Sequence, residues 1–326
     1  MPEGSATIEY IPAVRQNIPL LIGIAGPTGG GKTLSALRLA KGIAGDAPFA
    51  VLDTEAGRAL HYADDFVFNH AVLDPPFTPE RYLEGIVAAE AGGYPVVVVD
   101  SMSHEHAGDG GLLDMHEKIL QDRAGDDLRR REALSMAAWV EPKRRHKSMM
   151  SRLLQVRAHV ILCLRAESKI EMAKEGGRTV IRPKQSLVGH DGWIPIAEKS
   201  LPFELTMSLL VTPNAPGVPV PIKLNQAHRL ILPLDQPLNE EAGEALAAWA
   251  RGVEAEQDER VRDLTMELLG LADELGNRED VTAAIQAHRR KNTAAKHTAW
   301  LERQVATAQK KVDELPEAEV KWGGDE

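Results

Sequence analysis

The sequence predicts an α/β fold: a mostly parallel sheet with an antiparallel extension, followed by a helical C-terminal segment. Three observations predict it. Short aliphatic runs recur at 18–25, 49–53, 95–100 and 159–165, as expected of strands covered on both faces. Amphipathic helical stretches separate these runs, which is the sequence form of βαβ units. From residue 168 the pattern changes to alternation around turns, and from about 238 no strand signal remains.

Each element has its own signal. The run IPLLIGIA (18–25) ends in glycines; residues 33–44 then place Leu34, Leu37 and Ala40 at helical spacing, and a second strand follows from Phe49 to Asp53. Residues 54–78 read as irregular. Thr78-Pro79-Glu80 starts a helix, with Thr as N-cap and Pro at the first helical position, and Gly92-Gly93 stops it. Pro95 to Asp100, with four consecutive valines, is the third strand, and a Gly/Ser/His-rich loop covers 102–111. Residues 112–157 read as largely helical, interrupted near Gly125 and Pro142, before a fourth buried strand from His159 to Arg165. SKIEMAKEGGRTVIRP reads as a hairpin around Gly176-Gly177, and 203–213 with 218–224 as an antiparallel pair. Leu264, Leu268, Leu271 and Leu275 form the stripe of a packed helix that Gly276 stops, and Asn277 with Asp280 caps the next. The predicted organisation is an N-terminal segment 1–17, a core 18–237, a helical region 238–315 and a frayed acidic tail 316–326.

Composition narrows the function classes. The 326 residues carry 38 Lys/Arg against 48 Asp/Glu, a net charge of −10, so any polyanion contact must come from a local basic patch. A single cysteine, Cys163, excludes a disulfide framework and a cysteine-only zinc site within one chain; it reads as a small core residue. No signal peptide and no membrane-spanning run is read, so the expectation is a soluble, cytoplasmic protein with no membrane partner. Charge is segregated near the C-terminus: 238–280 has net −9, 281–311 net +6 and 312–326 net −5.

The chemistry concentrates after the first strand. Gly26-Pro27-Thr28-Gly29-Gly30-Gly31-Lys32-Thr33 matches G-x-x-x-x-G-K-[ST] in full, with a buried strand before it and an amphipathic helix from Leu34 after it. Glycines let successive backbone N–H groups curl around a phosphate, and the helix N-terminus adds its dipole. Lys32 is expected on the β- and γ-phosphates and Thr33 on Mg²⁺; ATP and Mg²⁺ are the expected ligands. Asp100, closing the third strand, is the expected second acid of the metal shell, with Ser101 beside it at the nucleotide. Glu55 lies two residues past the second strand, where the carboxyl ends of parallel strands converge, and a carboxylate there can activate water for attack on the γ-phosphate. His104, Glu105, His106 and Asp109 cluster in one loop, but without a third strong ligand this is not read as a metal site.

The order phosphate loop, strand–Asp-x-Glu, strand–Asp-Ser resembles the RecA-like ATPase core. Over about 18–250 it is similar to the short phage ATPases with a bare RecA core, including RecA-like single-strand annealing proteins. The residues that carry the resemblance are Asp53–Arg58 (DTEAGR), Val97–Ser101, Trp139 with Lys143, and HVILCLR ending at Arg165. The resemblance implies a RecA-like P-loop NTPase core in which Glu55 activates water, Tyr62 stacks on adenine and Arg165 senses the γ-phosphate, at a position often Gln in recombinases. It also implies a nucleotide at a subunit boundary, hence a ring or filament of like subunits, with Lys223 and Arg229 as candidates acting in trans, although their spacing departs from the recombinase pair. Only about 18 residues precede the core, so the N-terminal oligomerisation domain of bacterial recombinases is not matched.

Two basic stretches suit single-stranded DNA: KRRHKSMMSR (143–152), with Lys143, Arg144 and Lys147, and the hairpin, with Lys174, Arg178 and Lys184. The function expected is an ATP-hydrolysing RecA-like phage protein acting on single-stranded DNA in recombination or annealing, in the bacterial host cytoplasm, with a single-strand-binding protein as a further partner. The alternative is a P-loop regulatory or assembly ATPase that binds protein; a small-molecule kinase fits least, for want of an arginine-rich lid.

Overall fold

The computed structural model describes residues 10, 15, 17–175, 178–291 and 294–314. The tail expected at 316–326, most of the segment 1–17 and the Gly176-Gly177 turn lie outside the described residues. Two compact units are present among the described residues, Arg15–Arg251 and the chain from Gly252 onward.

The first unit is built on a sheet. Its first strands and helices are β1 (Leu21–Gly26), α1 (Lys32–Ala44), β2 (Phe49–Asp53), β3 (Phe68–Val72), α2 (Pro79–Ala91) and β4 (Val96–Asp100). There follow α3 (Ser103–Ala107), α4 (Leu112–Ala124), α5 (Leu128–Ala138), α6 (Val140–Leu153) and β5 (His159–Ser168). Then come β6 (Ile170–Glu175), β7 (Arg178–Pro183), β8 (Trp193–Pro195), α7 (Leu201–Glu204), β9 (Met207–Thr212), β10 (Ala215–Lys223), α8 (Gln226–Ile231) and α9 (Glu240–Arg251).

The strand order is β10-β9-β1-β5-β4-β2-β3, with β8 added to β5. β1 pairs in parallel with β5 and β9, β5 with β4, and β2 with both β4 and β3. β10 is antiparallel to β9, and β8 to the end of β5. The expected mostly parallel sheet with an antiparallel extension is therefore present. The β6–β7 hairpin is a separate two-stranded ribbon.

Alternation within each buried strand feeds two cores. Ile22, Ile24, Val96, Val98, Ile161 and Cys163 pack with α1 and α9 on one face. Leu21, Val97, Val99, Leu162 and Leu164 pack with α2 and α6 on the other. Each such side chain taken fully out of water contributes about 1.5–3 kcal/mol, which is why continuous aliphatic runs persist here.

Several elements differ from the sequence expectation. The stretch 54–78 holds a 3₁₀ turn, Arg58–Tyr62, and the edge strand β3, whose FNHAV is half exposed and so lacks an aliphatic run. The loop 102–111 contains the helical turn α3. The second break among the helices falls at Trp139, not Pro142, because proline in the first helical turn removes no intrahelical bond. Residues 201–204 form α7, and β9 starts at Met207. The boundary expected at 237/238 moves to 251/252, since α9 lies across α1 in the core. A Cβ at Gly42 would stand 1.9 Å from the Glu240 carbonyl oxygen and one at Gly243 2.4 Å from that of Leu39, so only glycine allows this close crossing.

The second unit comprises α10 (Val253–Glu274), α11 (Arg278–Lys291) and α12 (Ala294–Asp313). Leu264, Leu268 and Leu271 of α10 bury against Leu301 and Val305 of α12, the stripe read from the sequence. Among the described residues no helix is long and apolar enough to cross a membrane.

Candidate nucleotide site

The phosphate loop leaves β1 and enters α1 through two left-handed glycines, Gly29 (φ 80°) and Gly31 (φ 84°). It runs against the end of β9. Cβ atoms at Gly26 and Gly30 would lie 2.2 and 2.7 Å from the Val211 carbonyl oxygen, and Gly217 donates its N–H to the Gly30 carbonyl at 2.9 Å. The first N–H groups of α1 lack intrahelical acceptors by construction and face the loop's concavity as an anion site. Pro27 is half-buried and Thr28 exposed in the loop, and Leu34, the third residue of α1, is exposed.

Lys32 Nζ folds back to the Pro27 carbonyl at 3.0 Å. Burial holds its pKa below the ordinary lysine value, against the pull of acidic groups that include Asp100 and Glu55; a phosphate would restore what burial removes. Thr33 Oγ1 donates to Asp100 Oδ2 at 2.6 Å. Burial pushes the Asp100 carboxyl up, with the Thr33 bond opposing. A buried carboxylate beside a hydroxyl, both oxygen donors, matches what Mg²⁺ takes from a protein, so the residues present fit the metal. The Asp100–Ser101 peptide bond is cis.

Glu55 is held more tightly than a free base. Its backbone N–H donates to Asp53 Oδ1 at 2.6 Å. Its Oε1 accepts from Arg165 Nε at 2.9 Å and pairs with Arg165 Nη2 at 2.8 Å, and its Oε2 pairs with Arg58 Nη1 at 2.6 Å. The Glu55 side chain is 6% exposed. A carboxylate offers about four lone-pair sites; Arg165 takes two and Arg58 one, so one on Oε2 remains for water. Buried Asp53 also accepts from Ala59 N and meets His70 Nε2, each at 3.1 Å, and so anchors the whole loop from 53 to 59. Arg165, three residues before the end of β5, is fixed by its backbone N–H, which donates to Ser103 Oγ at 2.8 Å.

Lys32, Thr33, Asp100, Glu55 and Arg165 thus come together. Other expected residues do not join them. Ser101 is fully buried and donates Oγ–H to the Cys163 carbonyl at 3.3 Å. It also donates its N–H to Thr54 Oγ1 at 2.8 Å, so it braces the strand ends rather than facing the nucleotide. Tyr62 packs half-buried on the α1-side core. Lys223 Nζ donates to the Phe203 and Leu205 carbonyls at 2.7 and 2.5 Å, which uses two of its three N–H donors and ties it to its own chain; Arg229 is exposed on α8. Cys163 is buried, and burial pushes its thiol well above the usual value.

The basic stretches are less basic in three dimensions. Arg144 pairs with Glu141 at 2.7 Å and Arg145 with Glu80 at 2.5 Å, while Lys143 and Lys147 are exposed one turn apart. Leading into the ribbon, Lys169 pairs with Glu167 at 2.7 Å, and on it Arg182 pairs with Glu171 at 2.8 Å; Lys174 on β6 and Lys184 just past β7 are exposed. The Arg178 side chain lies outside the described residues.

Sequence reasoning missed a buried polar chain. Glu105 turns inward and bonds His146 Nδ1 at 2.9 Å, and His146 Nε2 stands 3.9 Å from Glu198 Oε2. Burial pulls the His146 imidazolium down, but Glu105 and Glu198 outweigh it and hold its pKa above the ordinary value. His104 instead meets Thr54 Oγ1 at 2.8 Å, and burial lowers its pKa. Asp53 and Arg58 stand in the DTEAGR motif, where an acid before and an arginine after the glutamate were the available signal.

A family model described as an AAA domain matches residues 18–188, just over half of the chain. The match runs from the residues leading into β1 past the β6–β7 ribbon and includes every residue of the cluster above. A search of curated proteins found no match.

Proposed function

Since the chain belongs to the AAA domain family, we propose that it binds ATP with Mg²⁺, hydrolyses it, and couples hydrolysis to single-stranded DNA as a RecA-like protein of phage recombination or annealing. The observation that carries the reading is the placement of Glu55. It acts electrostatically on both Lys32 and Asp100, so a water-activating carboxylate shares one charge cluster with the phosphate and metal residues.

In this reading Lys32 leaves the Pro27 carbonyl for the β- and γ-phosphates. Thr33 and Asp100 would hold Mg²⁺, whose charge would offset that of the phosphates. Arg165 exchanges one anionic partner for another: a γ-phosphate competes with Glu55 for its guanidinium. That exchange frees both lone pairs of Oε1, and Glu55 then orients the attacking water and takes its proton. Arg58 keeps the carboxylate in place throughout.

Support for DNA comes from position. α6, with Lys143 and Lys147, precedes β5, the strand that carries Arg165, and the β6–β7 ribbon, with Lys174 and with Lys184 one residue past β7, follows it. Assembly into a ring or filament fits this reading, with exposed Arg229 the better candidate for acting in trans. A second reading, an assembly ATPase that binds protein, is favoured by the exposed apolar face of the ribbon, Ile170, Met172 and Ile181. Anisotropy of a labelled oligonucleotide across a salt series, with and without ATP, separates the two. DNA binding gives a log–log slope of about −0.7 per phosphate contacted, flattened by joint neutralisation of Lys174 and Lys184. No binding at low salt in either state leaves the protein-binding reading.

A further inference from the structure

Past Arg165, β5 continues to Glu167 and forms one wall of a cavity of about 560 Å³. Its volume lies within the ~300–1,000 Å³ of ligand pockets. Met136, Trp139 and Val140, at the junction of α5 and α6, form the facing wall, and Ile194 to Lys199 complete it. Met136 is 84% and Val140 68% exposed, so this is apolar surface that the fold itself leaves uncovered.

Three features say what the cavity takes. The first is a prepared aromatic ring: His116 stacks on the Trp139 indole at 4.4 Å and 24°, and His116 Nε2 is itself bonded to the Ser135 carbonyl at 3.0 Å. The second is cationic flanks. Exposed Lys143 and Lys199 line the cavity, and Lys143 Nζ stands 6.0 Å from the indole centroid. The third is a pair of polar groups, set beside the Glu167–Lys169 ion pair that also lines the cavity. His106 lines the cavity, and among the described residues its buried Nδ1 has no hydrogen-bond partner; buried Glu198, held by Ser200 Oγ at 2.5 Å, lines it too. Burial lowers the His106 pKa, so a neutral imidazole can accept or donate.

We infer that this cavity is a nucleobase subsite: one base of a bound single strand is drawn in and stacked against Trp139, with Lys143 and Lys199 on the flanking phosphates. An apolar peptide would use the same walls but not the lysines. A base uses both, since stacking on an aromatic ring with cations along the backbone is how single strands are held without sequence preference. The N–H groups of a base, the thymine imide included, have Glu198 and His106 as acceptors. The inference rests on the single-stranded DNA reading above and adds where the base goes. It also links DNA to the nucleotide, since Glu167 and Arg165 are two residues apart on one strand.

The test compares a labelled oligothymidylate with a matched strand carrying abasic positions, on the full chain with ATP. Wild type should lose about 5- to 150-fold in affinity on base removal, the range of one stacked base. Trp139→Ala should lose a similar factor on the normal strand and nothing further on the abasic one, while Trp139→Phe keeps most of the affinity. Met136→Ala, at an exposed position with little stake in folding, should lose a smaller factor in the same direction, and basal ATP turnover should match wild type in all three. Equal wild-type binding to both strands, or additive Trp139 and abasic losses, overturns the subsite and leaves the DNA reading standing. No wild-type binding to either strand at low salt overturns both.

Discussion

Replacing Glu55 with Gln keeps the shape of the side chain and removes its charge and basicity. The structure lets the chemical and structural costs be separated in advance. Glu55 is paired to Arg165 and Arg58, whose side chains are 47% and 59% exposed. Pairs with such solvated partners contribute about 0–1 kcal/mol each, so the folded state should lose no more than about 2 kcal/mol. A general base contributes ~10²–10⁴-fold, which at 1.36 kcal/mol per tenfold is about 2.7–5.4 kcal/mol on the barrier. Glu55 lies outside the phosphate loop, so ATP affinity should be retained. Steady-state phosphate release, calorimetric titration with nucleotide and a thermal melt read the three quantities separately. Turnover within about threefold of wild type in a folded, ATP-binding Glu55→Gln protein would refute the assignment, because that falls far below what a base supplies.

Three further perturbations follow from the same geometry. Gly30→Ala puts a Cβ 2.7 Å from the Val211 carbonyl oxygen, a backbone atom that cannot swing away; overpacking of this kind costs about 1–3 kcal/mol, and nucleotide affinity should drop by about tenfold or more in a titration. Asp53→Asn leaves one of the buried Glu55 and Ala59 N–H groups poorly matched, costing about 1–3 kcal/mol in a denaturant melt, with turnover falling more than ATP affinity. In His146→Gln the sign is set by a raised pKa: the charge of His146 stabilises fully below its unfolded value near 6.5 and is lost as pH rises through the folded value. The wild-type stability advantage should therefore be largest near about pH 6 and shrink toward pH 8, as read by melts across that range.

What the sequence revealed followed the physics of burial. β1, β4 and β5 are aliphatic because helices cover both faces, so their runs were visible, and the glycines of the phosphate loop were visible because backbone must approach both Val211 and an anion. β3 stayed hidden because an edge strand needs no aliphatic run. α9 was assigned to the wrong unit because an amphipathic helix looks the same wherever its face is buried; the Gly42–Gly243 crossing is a tertiary fact. Glu55 was readable from its place after β2, but not its two arginines, one of which lies 110 residues away. His146 sat inside a stretch read as basic surface. The stripe Pro142, His146, Met149, Met150 and Leu153, all buried, has helical spacing and marked it as inward-facing.

The proposed function requires this chain to turn over ATP in response to single-stranded DNA. The most direct measurement is Mg²⁺-dependent phosphate release by the wild-type chain with and without oligothymidylate, beside Lys32→Ala, which removes the ammonium at the Pro27 carbonyl and with it the charge that meets the β- and γ-phosphates. Turnover should require Mg²⁺, rise when DNA is added, and disappear in the Lys32→Ala protein. Turnover that is absent in wild type under every condition, or unchanged by both DNA and the lysine substitution, would contradict that function.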